Sequence, residues 1–242
     1  MAPSGWRGTV GVIKPTRRST STQDLTHLLP PGIRLMVQYN NVRHGDLAEF
    51  QSAIPAYEAM VGELAALGVD LIRPEGTPPF LLLGRAGERK LIRRWRRKFG
   101  VPIFTSAMNQ VNALRALKVK NILHVRATSW DRGNRATVGY FTDAGFKVLA
   151  TERFEVPFAE ISRISWQEVY KTTKKAVLNH PRTEAIYIQG SGWGSLDMIE
   201  PLERDLGIPV VYPVIARCWE IQKRLRVRAP ITGYGRLLAE LP

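Results

Sequence analysis

The sequence predicts an α/β fold of two pseudo-symmetric lobes, each with a mainly parallel sheet flanked by helices. Short apolar runs rich in Val and Ile alternate along the chain with amphipathic stretches, as in β-α units that feed a parallel sheet. The 242 residues exceed the ~100 to 150 of a common small domain, which leaves room for one large domain or two lobes. A segment of the first half also returns in the second half, and this repeat favours two lobes.

The apolar runs and the stretches between them predict the elements in order. The predicted strands are Gly8 to Ile13, Arg34 to Gln38, Leu71 to Arg73, Pro102 to Thr105, Asn121 to Val125, Lys147 to Thr151, Ala185 to Gln189 and Pro209 to Tyr212. The predicted helices are Asp46 to Leu67, Gly87 to Phe99, Ser106 to Leu117, Asp131 to Ala144, Trp166 to Asn179, Ser195 to Leu206 and Val214 to Arg226. The segments 16–31 and 153–165 are polar and contain proline, so we expect irregular loops there.

The internal repeat joins a strand, a glycine turn, a helix and a further strand. GVDLIRPEGT at 68–77, followed by a helix and by FGVPIFT, is echoed by TEAIYIQGSG at 183–192, a helix and LGIPVVY. In open α/β sheets, ligands bind beyond the carboxyl ends of the strands, so we expect the turns at Gly76 and Gly190 to face one cleft. The predicted lobes are residues 1–107 plus 215–242 and residues 108–214, with the active cleft between them.

Composition and charge restrict the class of protein. With 44% hydrophobic and 23% charged residues, the chain is expected to fold as a globular protein. Its single cysteine excludes an intramolecular disulfide and a cysteine-rich zinc site, and it suits a reducing cytosol. No apolar stretch approaches the ~18 residues that cross a bilayer, and the start does not resemble a signal peptide, so we expect a cytoplasmic protein with no membrane partner. The net charge of +14 attracts anions, and nucleic acid has to be considered as a partner.

Four segments carry a resemblance to a known family. They are GVIKP at 11–15, GVDLIRPEGTPPF at 68–80, VPIFTSAMNQVNALRALKVKNILHV at 101–125 and AIYIQGSGWGSLDMIEPLERDLGIPVV at 185–211. They resemble the aspartate/glutamate racemase superfamily, and within it the branch of maleate cis-trans isomerases and arylmalonate decarboxylases. The resemblance implies two α/β lobes with the site between them, in agreement with the repeat, and a cofactor-independent enzyme that acts on a small (di)carboxylate.

The sequence departs from this family at the positions that carry its chemistry. Racemases and isomerases of the superfamily have one cysteine after a strand in each lobe, and the decarboxylases keep the second; the matching positions here are Gly76 and Gly190. A thiol pair that moves protons, or a thiolate that adds to maleate, cannot operate without sulfur. Cys218 falls inside the last predicted helix, where we expect a buried structural thiol. The resemblance then implies a cysteine-independent enzyme of the decarboxylase (lyase) or isomerase type.

Candidate substrate-binding residues lie at the two glycine turns. A turn between a strand and a helix presents free backbone N–H groups that can bind a carboxylate or an enediolate. Thr77 matches a threonine that holds the reacting carboxylate in the decarboxylases, while Pro78 replaces the neighbouring hydroxyl of that motif. The residues that the resemblance and the turns assign to substrate binding are Pro15, Gly76, Thr77, Thr128, Ser129, Gly190, Ser191 and Gly192.

Glu75 and Ser191 are the candidate catalytic residues. Glu75 ends a strand, and if burial raised its pKa it could act as an acid or base; the alternative is a solvent-facing turn residue paired with Arg73. Ser191 could bind the substrate or position a water, or it could only cap backbone donors.

No metal or cofactor is expected. The four histidines show no ligand spacing, and no G-x-G-x-x-G follows the first strand. The run at 85–100 carries eight basic residues, which on a helix would form a solvated face, guide an anionic substrate or contact nucleic-acid phosphates. No motif for specific nucleic-acid recognition is present.

Three functions remain open. The first is an enzyme of the superfamily without a catalytic cysteine. The second is a non-catalytic relative that binds carboxylates, and the third is a basic nucleic-acid-associated protein. A homo-oligomer is compatible with each of them.

Overall fold

Two parallel β-sheets, one of three strands and one of four, form the framework of the protein. The computed structural model describes residues 5–16, 20–127, 131–193 and 196–242. Neighbouring strands within both sheets run parallel, and helices connect them. The predicted α/β fold with parallel sheets is confirmed.

The first sheet has the strand order β2-β1-β3. Its elements are β1 (Gly8–Lys14), α1 (Thr20–Leu28), β2 (Ile33–Tyr39), α2 (Leu47–Ala66) and β3 (Leu71–Pro74), followed by α3 (Thr77–Leu81), α4 (Gly84–Phe99) and α5 (Ser106–Ala116). The Asp46 side chain caps α2, and Thr105 caps α5; each accepts a hydrogen bond from a backbone N–H three residues on.

The second sheet has the strand order β5-β4-β6-β7. Its elements are β4 (Asn121–Ala127), α6 (Asp131–Asp143), β5 (Lys147–Phe154), α7 (Trp166–Asn179), β6 (Ala185–Gln189), α8 (Ile199–Leu206) and β7 (Val210–Val211), and the chain ends with α9 (Pro213–Arg224) and α10 (Arg236–Glu240). Two short 3₁₀ helices, Phe158–Arg163 and Leu196–Met198, precede α7 and α8.

The two sheets share one spatial order of strands. In each, the first strand lies between the second and the third, giving β2-β1-β3 and β5-β4-β6. Ile103 forms an isolated parallel bridge with Ile72 of β3, and this bridge corresponds to the pairing of β7 with β6. The repeat in the sequence therefore has a counterpart in the order of the strands. The lobe boundaries at 107/108 and 214/215 stay a prediction.

The strand expected at Pro102 to Thr105 is reduced to this bridge. Pro102 has no N–H to donate to a ladder. Its carbonyl accepts from the Ile72 N–H at 2.9 Å. Thr105 is already committed to the cap of α5. Pro102 and Thr105 therefore do not extend the ladder, and the pairing is limited to Ile103.

The loop expected over 16–31 is also wrong in part, because α1 occupies most of it. This helix buries Leu25 and Leu28, which are 1% and 4% exposed, and it packs against α9. The sequence there is mostly polar, so packing against a distant helix decides its structure. The short helices α3 and α10 were not expected either.

One continuous hydrophobic core joins both sheets to their helices. Helix α9 is buried from Pro213 to Gln222 and contacts α1, α5 and α10. Its side chains therefore face the interior rather than solvent. Among the helices of the described residues, none is long and apolar enough to cross a bilayer.

Candidate active site

The turn after β3 holds Gly76 against Pro15 and Tyr57. Gly76 has a φ of +90°, a backbone conformation that residues with a side chain rarely adopt. A Cβ atom at this position would lie 3.1 Å from the Pro15 Cβ and 3.1 Å from the Tyr57 hydroxyl oxygen. That hydroxyl donates to the carbonyl of Glu75 at 2.6 Å. The turn is fixed from two sides, and a larger residue would have to displace its neighbours.

The turn after β6 holds Gly190 beside a buried tryptophan. Gly190 has a φ of +94°, and a Cβ atom there would lie 3.1 Å from the indole Nε1 of Trp193. Trp193 is 3% exposed and packs edge-on against Phe154, with ring centroids 5.5 Å apart. Within the described residues, its buried N–H has no hydrogen-bond partner. The indole N–H of Trp193, which lies beside Gly190, is therefore available to donate to a ligand.

Glu75 lies at the centre of a buried group of cations. It is 2% exposed and pairs with Arg73, with Arg217 at 3.1 Å and with Lys14 at 3.9 Å. Burial alone would raise the pKa of this carboxyl, but the three cations outweigh burial and lower it to about 2. Glu75 is thus a permanent anion at neutral pH. The raised pKa that an acid or base role requires is absent. The alternative is right that Glu75 pairs with Arg73 but wrong that it faces solvent.

Arg217 connects the two glycine turns. From α9, its Nη1 lies 3.1 Å from Oε2 of Glu75, and its Nη2 donates to the Ser191 hydroxyl at 3.0 Å. Arg217 is 4% exposed, and its Nε makes no hydrogen bond to the described residues. Arg217 therefore contacts the residue before Gly76 and the residue after Gly190. The two turns are neighbours in space, as expected for the carboxyl ends of parallel strands.

Lys14 ends β1 and is 3% exposed. Its ammonium bonds to the hydroxyl of Ser21 in α1, whereas Glu75 at 3.9 Å is beyond hydrogen-bond distance. Burial lowers the pKa of Lys14 to about 8; Glu75 opposes this shift, and Arg217 adds to it. The cluster formed by Lys14, Arg73, Glu75 and Arg217, called here the buried charge cluster, holds three cations and one carboxylate.

Half-buried Asp24 of α1 is a second acid beside the buried charge cluster. Burial raises its pKa, while Arg217 and Lys14 oppose that shift. Even with Asp24 ionised, the cations remain in excess, three against two. Burying an unbalanced charge is costly, so an anion bound at the cluster would lower its free energy.

Thr77 contacts β6 as well as its own turn. It is 6% exposed, and its hydroxyl contacts that of Tyr187, which donates to Gln110 at 2.7 Å. Pro78 and Pro79 supply no backbone N–H, so the start of α3 offers fewer donors than a helix N-terminus usually does.

The other residues predicted to bind substrate lie in different surroundings. Pro15 packs at Gly76, Ser191 binds Arg217, and Gly192 faces Ile161, from which a Cβ would lie 3.4 Å away. Thr128 and Ser129 lie outside the described residues. Whether these residues bind substrate stays a prediction.

Sequence reasoning missed Lys14, Arg217 and Trp193. Lys14 stands next to Pro15 in the quoted segment GVIKP, and a lysine at the end of a buried strand was an available signal. Arg217 gave no signal, because it belongs to a helix 26 residues beyond Ser191 that only folding brings back to the turns.

Cys218, the neighbour of Arg217 in sequence, directs its thiol to the backbone of α1. It is fully buried, and its Sγ lies 3.5 Å from the carbonyl oxygen of Leu28 in α1. Burial raises the pKa of the thiol to about 12. The thiol is buried, as expected, and its raised pKa disfavours nucleophilic or acid-base work at neutral pH.

Comparisons with known proteins identify the family and the fold. The family model of arylmalonate decarboxylase matches residues 10–238. A liganded mutant of arylmalonate decarboxylase, with one glycine changed to cysteine and one cysteine to serine, has a TM-score of 0.87 at 21% identity, covering 96% of this chain and 99% of that chain. The maleate isomerase Iso from Pseudomonas putida S16 has a TM-score of 0.85 at 20% identity, covering 97% and 99% of the two chains.

A serine mutant of the Nocardia farcinica maleate cis-trans isomerase, which carries a covalently bound succinylcysteine intermediate, has a TM-score of 0.86 at 20% identity and covers 96% and 98% of the two chains. No curated protein matches the chain. The solved structures show a shared fold of decarboxylases and isomerases, and the family model extends over nearly the whole sequence. The chain belongs to the arylmalonate decarboxylase family.

Proposed function

We propose that this protein is a cofactor-independent enzyme that acts on a small carboxylate at the two glycine turns, without a catalytic cysteine. The observation that carries the proposal is the buried charge cluster, where cations exceed carboxylates and Arg217 touches residues of both turns. A substrate carboxylate would supply the missing negative charge and accept hydrogen bonds from Arg217 Nε and Trp193 Nε1.

Decarboxylation is the reaction that we favour. The covalent succinylcysteine of the Nocardia isomerase requires a reactive thiol. The single cysteine of this chain is buried in α9 with a raised pKa. Losing carbon dioxide from a malonate needs an anion site for the developing enediolate and one proton donor, whereas racemisation by a thiol pair needs two proton-transfer groups. The cluster provides donors for the first of these reactions.

The proposal is tested by titrating the protein with malonate, an arylmalonate and maleate in a calorimeter and by following product formation by NMR. A decarboxylase should release carbon dioxide from a malonate and, in deuterated water, place one deuterium on the carbon that lost the carboxylate. Binding without turnover would instead indicate the non-catalytic relative. No binding of any of these anions, with tight binding of nucleic acid, would indicate the third function.

Two variants test the predicted substrate-binding residues at the glycine turns. Thr77→Val and Ser191→Ala should each weaken binding by ~0.5 to 1.5 kcal/mol, about 2- to 13-fold, if each hydroxyl makes one ordinary hydrogen bond. Ser52→Ala is the control, because Ser52 is an exposed serine of α2. Unchanged affinity in both variants would mean that other residues hold the anion.

A further inference from the structure

The missing thiols leave the proposed reaction without an evident proton donor. After carboxylate loss, the enediolate has to accept a proton at carbon, and the donor must be protonated near neutral pH and lose its proton easily. The described residues around the two turns offer few groups with this property. Glu75 is already ionised, and Tyr57 is buried with its pKa raised far above neutral pH by burial and by Glu75.

Lys14 has the required position. Lys14 directly precedes Pro15, which packs on the Gly76 turn. Its ammonium lies 3.9 Å from Oε2 of Glu75, the oxygen that Arg217 contacts at 3.1 Å, and Arg217 in turn reaches the Gly190 turn. Lys14 is therefore connected through two charged groups to both turns.

Lys14 also has protons to give. An ammonium has three N–H donors, and within the described residues it forms one hydrogen bond, to Ser21. Its carboxylate partner Glu75 is 3.9 Å away. Arg217 and Arg73 repel the positive charge, and burial disfavours it, whereas Glu75 and Asp24 stabilise it. A desolvated lysine beside other cations is a known way to obtain an amine that exchanges protons near neutral pH.

We propose that Lys14 is the proton-transfer residue of this site. In the step that we assign to it, the bond between the substrate carbon and the departing carboxylate breaks, and carbon dioxide leaves. The bonding electrons pass into the enediolate of the remaining carboxylate. One ammonium proton of Lys14 then moves to the substrate carbon, and the neutral amine regains a proton from solvent. This inference rests on the proposed function and adds the residue that performs its chemical step.

The first experiment compares Lys14→Arg and Lys14→Met with wild type on the malonate that wild type turns over. Arginine keeps the positive charge but holds its proton at any accessible pH. We expect kcat to fall by ~10²-fold or more in both variants. Lys14→Arg should bind substrate within a few-fold of wild type. Lys147→Met is the control, since Lys147 is exposed at the start of β5 and should keep full activity.

The pH profile gives a second readout. A proton donor with a pKa of about 8 is charged below that pH, so kcat/KM should fall as pH rises through about 8. Lys14→Arg should lose this limb. If Lys14→Arg or Lys14→Met keeps kcat within threefold of wild type, or if Lys14→Arg keeps the fall of kcat/KM above pH 8, Lys14 is not the proton donor. The proposed function would then still stand.

A third readout does not depend on turnover. In protein labelled with carbon-13 at the lysine Cε, the signal missing from the Lys14→Arg spectrum identifies Lys14, and its titration gives the pKa directly. We expect a midpoint near 8 that rises when malonate binds, because an anion stabilises the ammonium. A midpoint near the ordinary 10.5, unmoved by malonate that binds, would contradict the inference. Failure of wild type to bind or convert any carboxylate would overturn the proposed function instead.

Discussion

Single residues decide the electrostatics of this protein, and Glu75 shows how. The strand end and the neighbouring Arg73 were visible in the sequence, but the sign of the pKa shift depended on how many cations meet there. Lys14 and Arg217 come from β1 and α9, and together with Arg73 they outweigh the burial penalty. The result is a carboxylate that stabilises the site instead of exchanging protons.

Replacing Glu75 should be strongly destabilising. Glu75→Gln removes the carboxylate and leaves three buried cations facing one another, so the free energy of unfolding should fall by ~3 to 5 kcal/mol. Urea denaturation at pH 7 measures this change. Glu155→Gln is the matched control: Glu155 pairs with Arg153 at 2.6 Å but is 65% exposed, so its loss should cost less than ~1 kcal/mol.

The same residue predicts an acid limb. The pKa of Glu75 is lower in the folded protein than in the unfolded chain, so its contribution is fully present above the ordinary value near 4.5 and is lost as pH falls through about 2. Wild type should therefore lose stability over this range more steeply than Glu75→Gln. Parallel curves for the two proteins would contradict the depressed pKa.

Glu88 of α4 shows the opposite behaviour. It is fully buried and accepts hydrogen bonds from the hydroxyls of Thr105 and Tyr140, but it has no paired cation among the described residues. Burial raises the pKa of Glu88 to about 7, against the effect of both hydroxyls. Because the folded state prefers the protonated form, the contribution to stability is present below the ordinary pKa near 4.5 and is lost as pH rises through about 7.

Glu88→Gln should remove this dependence. Glutamine stays neutral, so the variant should lose less stability than wild type between pH 5 and pH 8, by up to about 3 kcal/mol. Denaturant unfolding at several pH values checks the prediction. If the difference between wild type and Glu88→Gln is constant over this range, Glu88 titrates at its ordinary pKa.

At the scale of elements, the turns after β3 and β6 are defined by backbone conformation. Gly76→Ala should lower the free energy of unfolding by ~1 to 3 kcal/mol, because a side chain would meet Pro15 and Tyr57 at a positive φ. Gly68→Ala separates the two causes, since Gly68 has a φ of +72° with nothing within 4 Å of an added Cβ. Thermal unfolding of both variants should show the larger loss at Gly76. Equal losses would mean that the contacts at Gly76 relax without cost.

Helix α4 is amphipathic, with one side that packs on the core and another that carries most of its basic residues. Ile92 and Trp95 are buried, and Arg94 and Lys98 both pair with Glu58 of α2. Arg89, Lys90, Arg93 and Arg97 are exposed to solvent, whereas Arg96 is half-buried and donates to the carbonyl of Ile103. The helix thus packs by its apolar side, while its charge adds to the field that attracts anions to the molecule.

At the scale of the whole molecule, the single thiol can report global opening. Cys218 is fully buried in α9, and burial raises the pKa of its thiol to about 12. Iodoacetamide should therefore leave native activity unchanged and should label the protein only after unfolding. Mass spectrometry of native and urea-treated samples measures the labelling. Rapid alkylation with loss of activity in folded protein would contradict a structural role, and Cys218→Ala should stay active.

The sequence by itself determined the α/β class, the positions of most strands along the chain, the repeat and the position of both glycine turns. These features depend on local patterns: apolar periodicity, turn glycines and strand ends that neighbour one another in parallel sheets. Only the tertiary structure decided that Glu75 is a permanent anion, that α1 is a helix, and that Arg217 faces both turns. Each of these depends on groups far apart in sequence, and the energies of burial, ion pairing and helix packing depend on distance in space.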